Sequence, residues 1–436
     1  MKALVVLVAA GLAIVPAQAA TRLSLAEAEA KAAAANPRAA AAGQDALAAA
    51  HAASANAARH AGSFDLVGAY NRYESARLVR PMSIDLFTNP AGGFAQLPWD
   101  DEQLHYGVSW QLPLLAGGTL REGIRASRLA QSAAEALAIY TRDEVRTAVR
   151  VAYRDALFAR HALAAAAAFR DALAKDAADA QLAVELGARA PVDATKVTFA
   201  LRGAEAQVAA LEAQARTTQA LLAALLGEAL PEKGYDLEEI EATPGTREDV
   251  DLEPALASRA DLAAVRAQAA IAESRKRLAR DAFGPRLGLE ASYWRNEAPS
   301  VDGSLDTHEV SLLLRLPLFD GGARLEAVRA ADAELAAARE RARGKELEIA
   351  TQLADARGRL EAARAQLEAA KAQRTLGHQV AQVEAVRLEQ GAGKVEDYLV
   401  ARGQELAGET AYWSALYGVH NALDRLAFVA GQGEKP

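Results

Sequence analysis

Two long stretches without proline constrain the fold of this chain more than any other feature. Residues 119–186 and 323–390 contain no proline and little glycine, and both are dense mixtures of alanine, leucine, arginine and glutamate. These residues favour helix, so each stretch is predicted to form a helix of roughly 65 residues, about 100 Å long. Such a helix must pair along its length with other helices. The many alanines indicate close approach on more than one side.

The chain also repeats itself at a fixed spacing. Residues 111–118 read QLPLLAGG, and residues 315–322, which lie 204 positions later, read RLPLFDGG. Three further pairs keep this offset: Gly187 and Gly391, Asp193 and Asp397, and Gly227 and Gly431. We interpret the chain as two copies of one unit in tandem, and therefore expect an internal duplication.

Each copy reads as helix, strand, loop, strand, very long helix, tight turn and helix. Apolar residues alternate with polar ones from Leu104 to Leu112, which is the period of a half-buried strand. Weaker alternation predicts three more strands at 64–73, 287–293 and 310–318, so we expect four strands per chain. Between Tyr70 and the proline motif, the first copy has 19 more residues than the second. This insertion falls between the first two predicted strands.

Shorter helices are predicted to complete the helical part. Residues 192–226 and 395–428 form return helices about half as long as the two long ones. Residues 38–59 and 261–282 precede the first strand of each copy and supply the missing half, stacked end to end with the return helices. The predicted fold is mainly α with a small β part, built from long antiparallel α-helical hairpins.

The amino terminus has the order of a secretory signal peptide. Lys2 precedes an apolar run at 3–15 and a small-residue cleavage site at 17–19. We expect cleavage after Ala19. No later segment has the roughly 18 consecutive apolar residues of a spanning helix.

The rest of the chain divides at the repeat boundaries. We expect a first structural repeat at 20–227, an acidic linker at 228–253, a second repeat at 254–431 and a short tail at 432–436. From Gly227 to Glu253 there are ten acids against two basic residues. The linker is interpreted either as a solvated connector or as a belt that contacts an adaptor.

Four strands per chain predict an oligomer. The smallest transmembrane barrels need about eight strands, and an open sheet would leave edge N–H and C=O groups facing lipid. In such a shared barrel, Tyr106 and Trp110 would face lipid. Four polar or charged residues would face a wet lumen: His105, Ser109, Glu290 and Arg315. The alternative is a small soluble sheet that caps a coiled coil.

Composition and motifs argue against several other functions. The chain has 49 Lys and Arg residues against 57 acids, a net charge of −8, which does not favour nucleic acid as a partner. It has no cysteine, and its seven histidines are scattered without metal-ligand spacing, so no metal site or cofactor is expected. Residues 391–394 read GAGK, but Val395 stands where a phosphate loop needs Ser or Thr. No Gly-x-Ser-x-Gly elbow is present, and no catalytic residue is expected.

The duplicated motifs resemble those of the TolC-like outer-membrane efflux proteins. The resemblance covers essentially the whole mature chain, with Pro-Leu-x-x-Gly-Gly at each strand-to-helix junction and Gly-x5-Asp at each distal turn. The junction residues that carry it are Pro113, Gly117, Gly118, Pro317, Gly321 and Gly322. It implies a homotrimer with a shared twelve-stranded transmembrane β-barrel, four strands from each chain, continued into a periplasmic α-barrel.

The same resemblance implies the function and the partners. The chain would be the outer-membrane channel, or exit duct, of a tripartite efflux pump or a type I secretion system. It would work as a passive conduit in the outer membrane with a large periplasmic portion. Its partners would be a periplasmic adaptor, an inner-membrane transporter and outer-membrane lipid. Drugs, metal ions and polypeptides all stay open as cargo.

The resemblance also assigns candidate site residues at the distal turns. In this family, acids after the second distal turn narrow the periplasmic entrance, and the gate or pore candidates here are Asp397, Asp193, Glu396 and Lys394. The turns at Gly187 and Gly391 are the expected adaptor contacts. Three positions depart from the family pattern of acid, aromatic and arginine: Val400, Leu388 and Gly393. Lys394 is the candidate substitute for the residues that tie the closed tip.

Two interpretations of the turn acids stay open. A ring of three Asp397 carboxylates would concentrate cations and repel one another. Alternatively, Asp397 and Asp193 only stabilise the first turns of the return helices. For the whole chain, the runner-up functions are a soluble periplasmic coiled-coil adaptor or scaffold and an ordinary single-chain porin. A porin is disfavoured because most of the chain is predicted to be helical.

Overall fold

The computed structural model describes residues 21–79, 98–116, 118–241, 251–300 and 302–432. The expected signal peptide, most of the longer first loop and Gly117 lie outside these ranges. The first half contains, in chain order, β1 (Thr21–Leu23), α1 (Leu25–Ala35), α2 (Pro37–Ala58), a 3-10 turn (Arg59–Ala61), β2 (Ser63–Leu78), β3 (Trp99–Ala116), α3 (Thr119–Glu185) and α4 (Pro191–Leu226). The second half contains β4 (Tyr235–Leu237), α5 (Leu252–Ser258), α6 (Ala260–Asp281), β5 (Arg286–Glu297), β6 (Leu305–Arg315), α7 (Ala323–Glu389) and α8 (Val395–Val429).

The two long helices match the prediction closely. α3 and α7 each contain 67 residues. Their interiors offer no proline that would remove a backbone hydrogen bond. Within the described residues, no helix is both long enough and apolar enough to cross a membrane.

Local sequence also explains where α1 and α2 begin. The Ser24 hydroxyl accepts a hydrogen bond from the Glu27 N–H at 3.2 Å, and the Glu27 carboxylate accepts one from the Ser24 N–H at 2.9 Å. This reciprocal pair satisfies two N–H groups that the helix start would otherwise leave free. Pro37 then begins α2, where its missing N–H costs nothing. The prediction had not included α1.

The main sheet is antiparallel with the strand order β2-β3-β5-β6. The four strands were predicted, but β2 and β3 are longer than expected. The fourth strand ends at Arg315 rather than at 318. A register shift between Pro113 and Leu115 marks a bulge in β3, where proline is tolerated because a bulge leaves a residue unpaired.

A second, smaller sheet joins the expected linker to the start of the first repeat. β1 and β4 pair in parallel, with Thr21 opposite Tyr235 and Leu23 opposite Leu237. Tyr235 and Leu237 are buried. The interpretation of 228–253 as a solvated connector did not include this structured segment.

The described chain forms two compact units, each drawing on both halves of the sequence. The first unit contains residues up to 42, from 139 to 259 and from 348 onward. Its core includes large buried side chains of β1, α3, α4, β4 and α8: Leu23, Val149, Tyr153, Leu157, Leu222, Leu226, Leu237 and Tyr417. The Tyr153 hydroxyl lies 2.8 Å from the carbonyl oxygens of both Leu23 and Glu238.

Ion pairs that are mostly shielded from water link three helices of the first unit. Arg150 of α3 holds the Glu29 carboxylate of α1 with two nitrogens, at 2.6 and 3.1 Å, and reaches Asp424 of α8 at 3.1 Å. Arg154 reaches the other Asp424 oxygen at 2.6 Å, and its side chain is only 6% exposed. The Asn421 side-chain oxygen accepts a further hydrogen bond from Arg154 at 2.9 Å. Burial makes this network costly to break, because a single loss leaves an uncompensated charge.

The second unit contains residues 43–138 and 260–347. It holds the four-stranded sheet and the helix segments that lead into and out of it. Its buried apolar cluster is small and centres on Ala272, Leu335 and Ala338. Ion pairs reinforce the contact between α6 and α7, as between Asp261 and Lys345 at 3.0 Å and between Lys276 and Asp332.

Candidate functional site

The register of the four-stranded sheet separates apolar from polar side chains. Residues paired directly across antiparallel strands point to the same side, and neighbours along a strand alternate. One side, termed here the apolar face, therefore carries Phe64, Leu66, Tyr70, Leu104, Tyr106, Val108, Trp110, Leu112, Leu287, Leu289, Tyr293, Val310, Leu312 and Leu314, with the polar His308 opposite Tyr293. Most of these large side chains are exposed, for example Leu66 at 83% and Val310 at 73%. So large a contiguous exposed apolar surface marks an interaction site.

The opposite side of the sheet, termed the polar face, has a different composition. Most of its residues are polar or charged: Asp65, Asn71, Gln103, His105, Ser109, Gln111, Arg286, Glu290, Ser292, Asn296, Thr307, Glu309, Ser311 and Arg315. Four apolar residues share it: Val67, Trp294, Leu305 and Leu313. His105 and Ser109 belong to this face, as the alternation predicts, but they are buried within the single chain. The His105 Nδ1 atom lies 2.8 Å from the Asn296 Oδ1 atom, and the Asn296 amide donates to the Leu305 carbonyl.

Charged residues bound the apolar face at its hairpin end. Arg295 and Asp306 pair across β5 and β6 on the same side as Tyr106. The Tyr106 hydroxyl donates to Glu297 at 2.7 Å, and the Tyr293 hydroxyl donates to Asp306 at 2.8 Å. The two tyrosines thus present their rings to the apolar face and their hydroxyls to charged groups, the arrangement favoured at a boundary between lipid and water.

The sheet has two open edges. Within the described chain, β2 pairs only with β3 and β6 pairs only with β5. The outer edges of β2 and β6 therefore present backbone N–H and C=O groups that can pair with another chain.

Glycines shape the strand-to-helix junctions. Gly118 has φ of +82°, and a Cβ atom there would lie 2.1 Å from the Asp281 Oδ2 atom, so only glycine fits. Gly321 and Gly322 also have positive φ, at +71° and +91°. Pro113 lies at the bulge inside β3, whereas Pro317 lies two residues beyond the end of β6.

An ion pair that the sequence did not predict braces the second junction. The Asp320 carboxylate accepts hydrogen bonds from the backbone N–H of Gly322 at 3.2 Å and of Arg324 at 3.1 Å. The Arg324 guanidinium also donates hydrogen bonds, to the Asp320 carboxylate at 2.7 Å and to the Pro317 carbonyl at 3.0 Å. The first junction has Ala116 and Leu120 at the matching positions, so it lacks this brace.

The two distal turns have the same geometry. Gly187 and Gly391 have φ of +72° and +71°, which glycine adopts without strain. The next residue in each turn, Ala188 or Ala392, donates to the carbonyl five positions earlier at 2.8 or 2.9 Å. Each long helix therefore ends for the same local reason.

An apolar cluster joins the two distal turns. Its buried members are Ala180, Ala194, Val197 and Val395, with Ala177, Val184, Leu388 and Leu399 packed against them. The Tyr398 hydroxyl donates to the Asp176 carboxylate at 2.6 Å. Burial, reinforced by this hydrogen bond, raises the pKa of Tyr398 to about 12. Tyr398 is therefore a neutral donor at physiological pH.

The candidate gate residues do not form one cluster. Glu396 pairs with Lys196 of the first hairpin, and Asp193 lies 3.6 Å from the same Lys196 ammonium. The Lys196 hydrogen bond lowers the pKa of the Glu396 carboxyl. Asp397 is exposed, and the described residues offer it no ion-pair partner.

Lys394 is not the lysine that links the hairpins. It occupies the position just before α8 and makes no side-chain capping hydrogen bond. Lys196 makes the ion pair with Glu396, and sequence reasoning missed it together with Asp176 and Tyr398. The spacing of Asp193 and Lys196, three positions apart on one helix, was the available signal. Glu396, the partner of Lys196 on the second hairpin, lies 200 residues away in the sequence, so no local pattern indicated this contact.

No group of three or more potential metal ligands is found among the residues that the structure describes.

The sequence of the second half matches a known family. The family model "Outer membrane efflux protein" matches residues 252–432. No curated protein matches the chain in sequence. The second half of the chain is thus similar in sequence to the outer-membrane efflux proteins.

Solved structures share the fold over nearly the whole chain. The CmeC outer membrane channel of Campylobacter jejuni matches with a TM-score of 0.81 at 17% identity, covering 94% of this chain and 86% of that one. The outer membrane protein VceC of Vibrio cholerae matches with a TM-score of 0.78 at 21% identity, covering 94% and 97%. The open state of the MtrE outer membrane channel of Neisseria gonorrhoeae gives 0.72 at 17% identity, covering 93% and 88%. The resemblance to the TolC-like outer-membrane efflux proteins is confirmed.

Proposed function

We propose that this chain is the outer-membrane channel of a tripartite efflux pump or a type I secretion system. The observation that carries the proposal is the exposed apolar face of the four-stranded sheet, backed by a polar face. On β3 the apolar face runs from Leu104 to Leu112, about 27 Å along the strand. A strand tilt of roughly 40° reduces this to about 21 Å, close to the ~25 Å apolar band of transmembrane barrels.

The open edges of β2 and β6 support a trimer. Three chains would pair these edges and close a barrel of twelve strands, leaving no unpaired backbone groups in lipid. In that barrel Tyr106 and Trp110 face lipid, and the polar face lines the lumen. The long helices of the three chains continue as a periplasmic tunnel.

Matching element lengths in the two halves support the proposed duplication. α2 and α6 each contain 22 residues, and α4 and α8 contain 36 and 35. With α3 and α7 equal in length and the distal turns alike, both halves follow one plan. The proposed domain boundaries at 20–227 and 254–431 follow this plan.

The alternatives fit the sheet less well. A soluble periplasmic adaptor or scaffold would expose the apolar face to water, at a large hydrophobic cost. A single-chain porin needs at least eight strands, and the main sheet of the described chain has four. The proposed duct is a passive conduit rather than an enzyme. It works with a periplasmic adaptor, which contacts the turns at Gly187 and Gly391, and with an inner-membrane transporter that supplies the energy.

Fractionation and oligomer analysis test the proposal. We expect the mature protein in the outer-membrane fraction and trimers in detergent extracts, because the apolar face needs lipid and the strand edges need partners. Light scattering or native electrophoresis measures the oligomer. Recovery in the soluble periplasm, or as monomers in every mild detergent, would contradict it.

Asp397 is the proposed gate carboxylate. It is exposed and free of ion pairs among the described residues, so three copies in a trimer would bring three unneutralised charges to the entrance. Asp193, at the matching position of the first hairpin, is partly neutralised by Lys196. We therefore expect Asp397→Ala to weaken cation block of single-channel conductance more than Asp193→Ala does, with trimers intact. Equal block in Asp397→Ala and the parent would remove Asp397 from the gate.

A further inference from the structure

Three arginines near the start of α3 form a second candidate binding surface. Arg121, Arg125 and Arg128 lie at positions i, i+4 and i+7, which brings them to one face of the helix. With His60, which follows α2, they line a cavity of about 590 Å³. The other lining residues are apolar: Ala57, Ile124 and Leu129. We call this cationic and apolar surface the arginine pocket.

The positive charge of the arginine pocket is largely uncompensated. Arg121 has one acidic neighbour, Glu122, at 3.6 Å. No ion pair of Arg125 or Arg128 is found among the residues that the structure describes. Glu273 is close enough to Arg125 to feel its charge, but it is already ion-paired with Arg277 at 2.6 Å. In a chain with a net charge of −8, three arginines on one face of a helix are a local exception.

The second half of the chain has no such pocket at the matching positions. The residues 204 places later are Leu325, Arg329 and Asp332. Arg329 is paired with Glu326 at 2.6 Å, and Asp332 is paired with Lys276. The arrangement of three arginines at these positions therefore does not recur in the second half and is not a general requirement of a strand-to-helix junction.

The location of the pocket indicates its ligand, given the function proposed above. α3 begins three residues after β3 ends, so its first turns follow directly on the strand that carries the apolar face. If the sheet lies in lipid, the start of α3 lies at the depth of the headgroups, a layer about 5–7 Å thick on each side. Arg128 lies about 10 Å beyond Arg121 along the helix, so it reaches this layer through its long side chain. Helical side chains lean toward the helix amino terminus, which directs the arginines toward the strand end and thus toward that layer.

We propose that the arginine pocket binds the headgroup of an anionic phospholipid in the leaflet from which the helices emerge. Guanidinium groups bind phosphate through paired N–H donors, and several basic residues together hold anionic lipid more tightly than one. Ile124 and Leu129 offer apolar contact to the glycerol and the first carbons of the acyl chains. The lipid would anchor the first strand-to-helix junction at the membrane surface.

Native mass spectrometry of the full-length protein tests this proposal. The purified trimer is supplied with equal amounts of phosphatidylglycerol and phosphatidylcholine, and bound lipid is counted on each species. We expect the Arg121→Gln, Arg125→Gln, Arg128→Gln triple variant to lose at least about tenfold in phosphatidylglycerol affinity, with weak phosphatidylcholine binding unchanged. The matched control is Arg329→Gln, which removes a paired arginine at the equivalent place in the second half and should retain the lipid.

Three results would overturn the proposal. The triple variant could bind phosphatidylglycerol as the parent does. Millimolar inorganic phosphate could displace the lipid, which would make this a site for free anions. The triple variant could instead change the reversal potential of the channel without changing lipid binding, which would place the arginines in the lumen. Failure of the proposed function is distinguishable, because there the parent itself would be found outside the membrane.

Discussion

Replacing Val310 with arginine tests whether the apolar face contacts lipid. Val310 is the sixth of the eleven residues of β6 and pairs with Ala291, which pairs in turn with Trp110. It is therefore near the middle of the apolar face. Its neighbour Ser311 points to the polar face and contacts Glu309 at 2.6 Å, so Ser311→Arg is a matched control one position away.

The two possible environments predict very different energies. Val310 is 73% exposed in the chain, so in water a charged side chain there would change stability by no more than about 0.5 kcal/mol. At the middle of a bilayer, arginine on the lipid-facing side of a barrel costs about 2–4 kcal/mol. Three independent copies would triple the cost for a trimer. Ser311→Arg places the same charge in water beside acids and is expected to cost less than about 0.5 kcal/mol.

Equilibrium urea unfolding in phospholipid vesicles, followed by tryptophan fluorescence, measures both variants. The difference in unfolding free energy follows from the midpoint and the slope of each curve. Unheated gel electrophoresis reports the fraction of trimer. If Val310→Arg costs no more than Ser311→Arg, the apolar face is not in lipid and the channel proposal fails with it.

Three further outcomes are expected from the first unit. Asp424→Ala removes the carboxylate from the buried Arg154 and the partly buried Arg150 and should destabilise the protein by about 3–5 kcal/mol, as measured by thermal or denaturant unfolding; a loss below about 1 kcal/mol would contradict this. The ion pair between Lys196 and Glu396 should persist above pH 4.5, the ordinary pKa of the glutamate, and be lost as the pH falls through the lowered pKa of Glu396. Accelerated proteolysis at the distal turns in acid, absent from Glu396→Gln, would report that loss. Burial lowers the pKa of His420 below 6.5, so its contribution to stability should be full above pH 6.5 and decline at lower pH; unfolding curves of His420→Asn should lack this part of the pH dependence, and identical curves would refute it.

Features that depend on local sequence were predicted well. The ends of α3 and α7 follow from long runs without proline and from glycines that adopt positive φ at positions 187 and 391. The alternation from Leu104 to Leu112 correctly separated the two faces of β3. In each case, the determining interactions lie within a few residues along the chain, so the pattern is visible in the sequence.

Contacts between distant segments were not predictable in the same way. β1 and β4 contain three residues each, too few to show a period, and the pair joins residues more than 200 positions apart. The ion pair between Lys196 and Glu396 and the hydrogen bond between Tyr398 and Asp176 join the two hairpins across similar separations. In the sequence, Lys196, Glu396 and Asp176 look like ordinary solvated charges, and Tyr398 looks like an ordinary tyrosine on a helix.

The sequence by itself determined the two long helices, the four helices that pair with them, the four strands of the main sheet and the two faces of β3, because backbone geometry converts local periodicity directly into structure. Only the tertiary structure decided which lysine joins the two hairpins, which arginines at the start of α3 lack a partner, and that β1 and β4 complete the core of the first unit. The physical reason is that burial and charge pairing depend on which segments meet. That choice is made by the packing of the whole chain and not by any one segment.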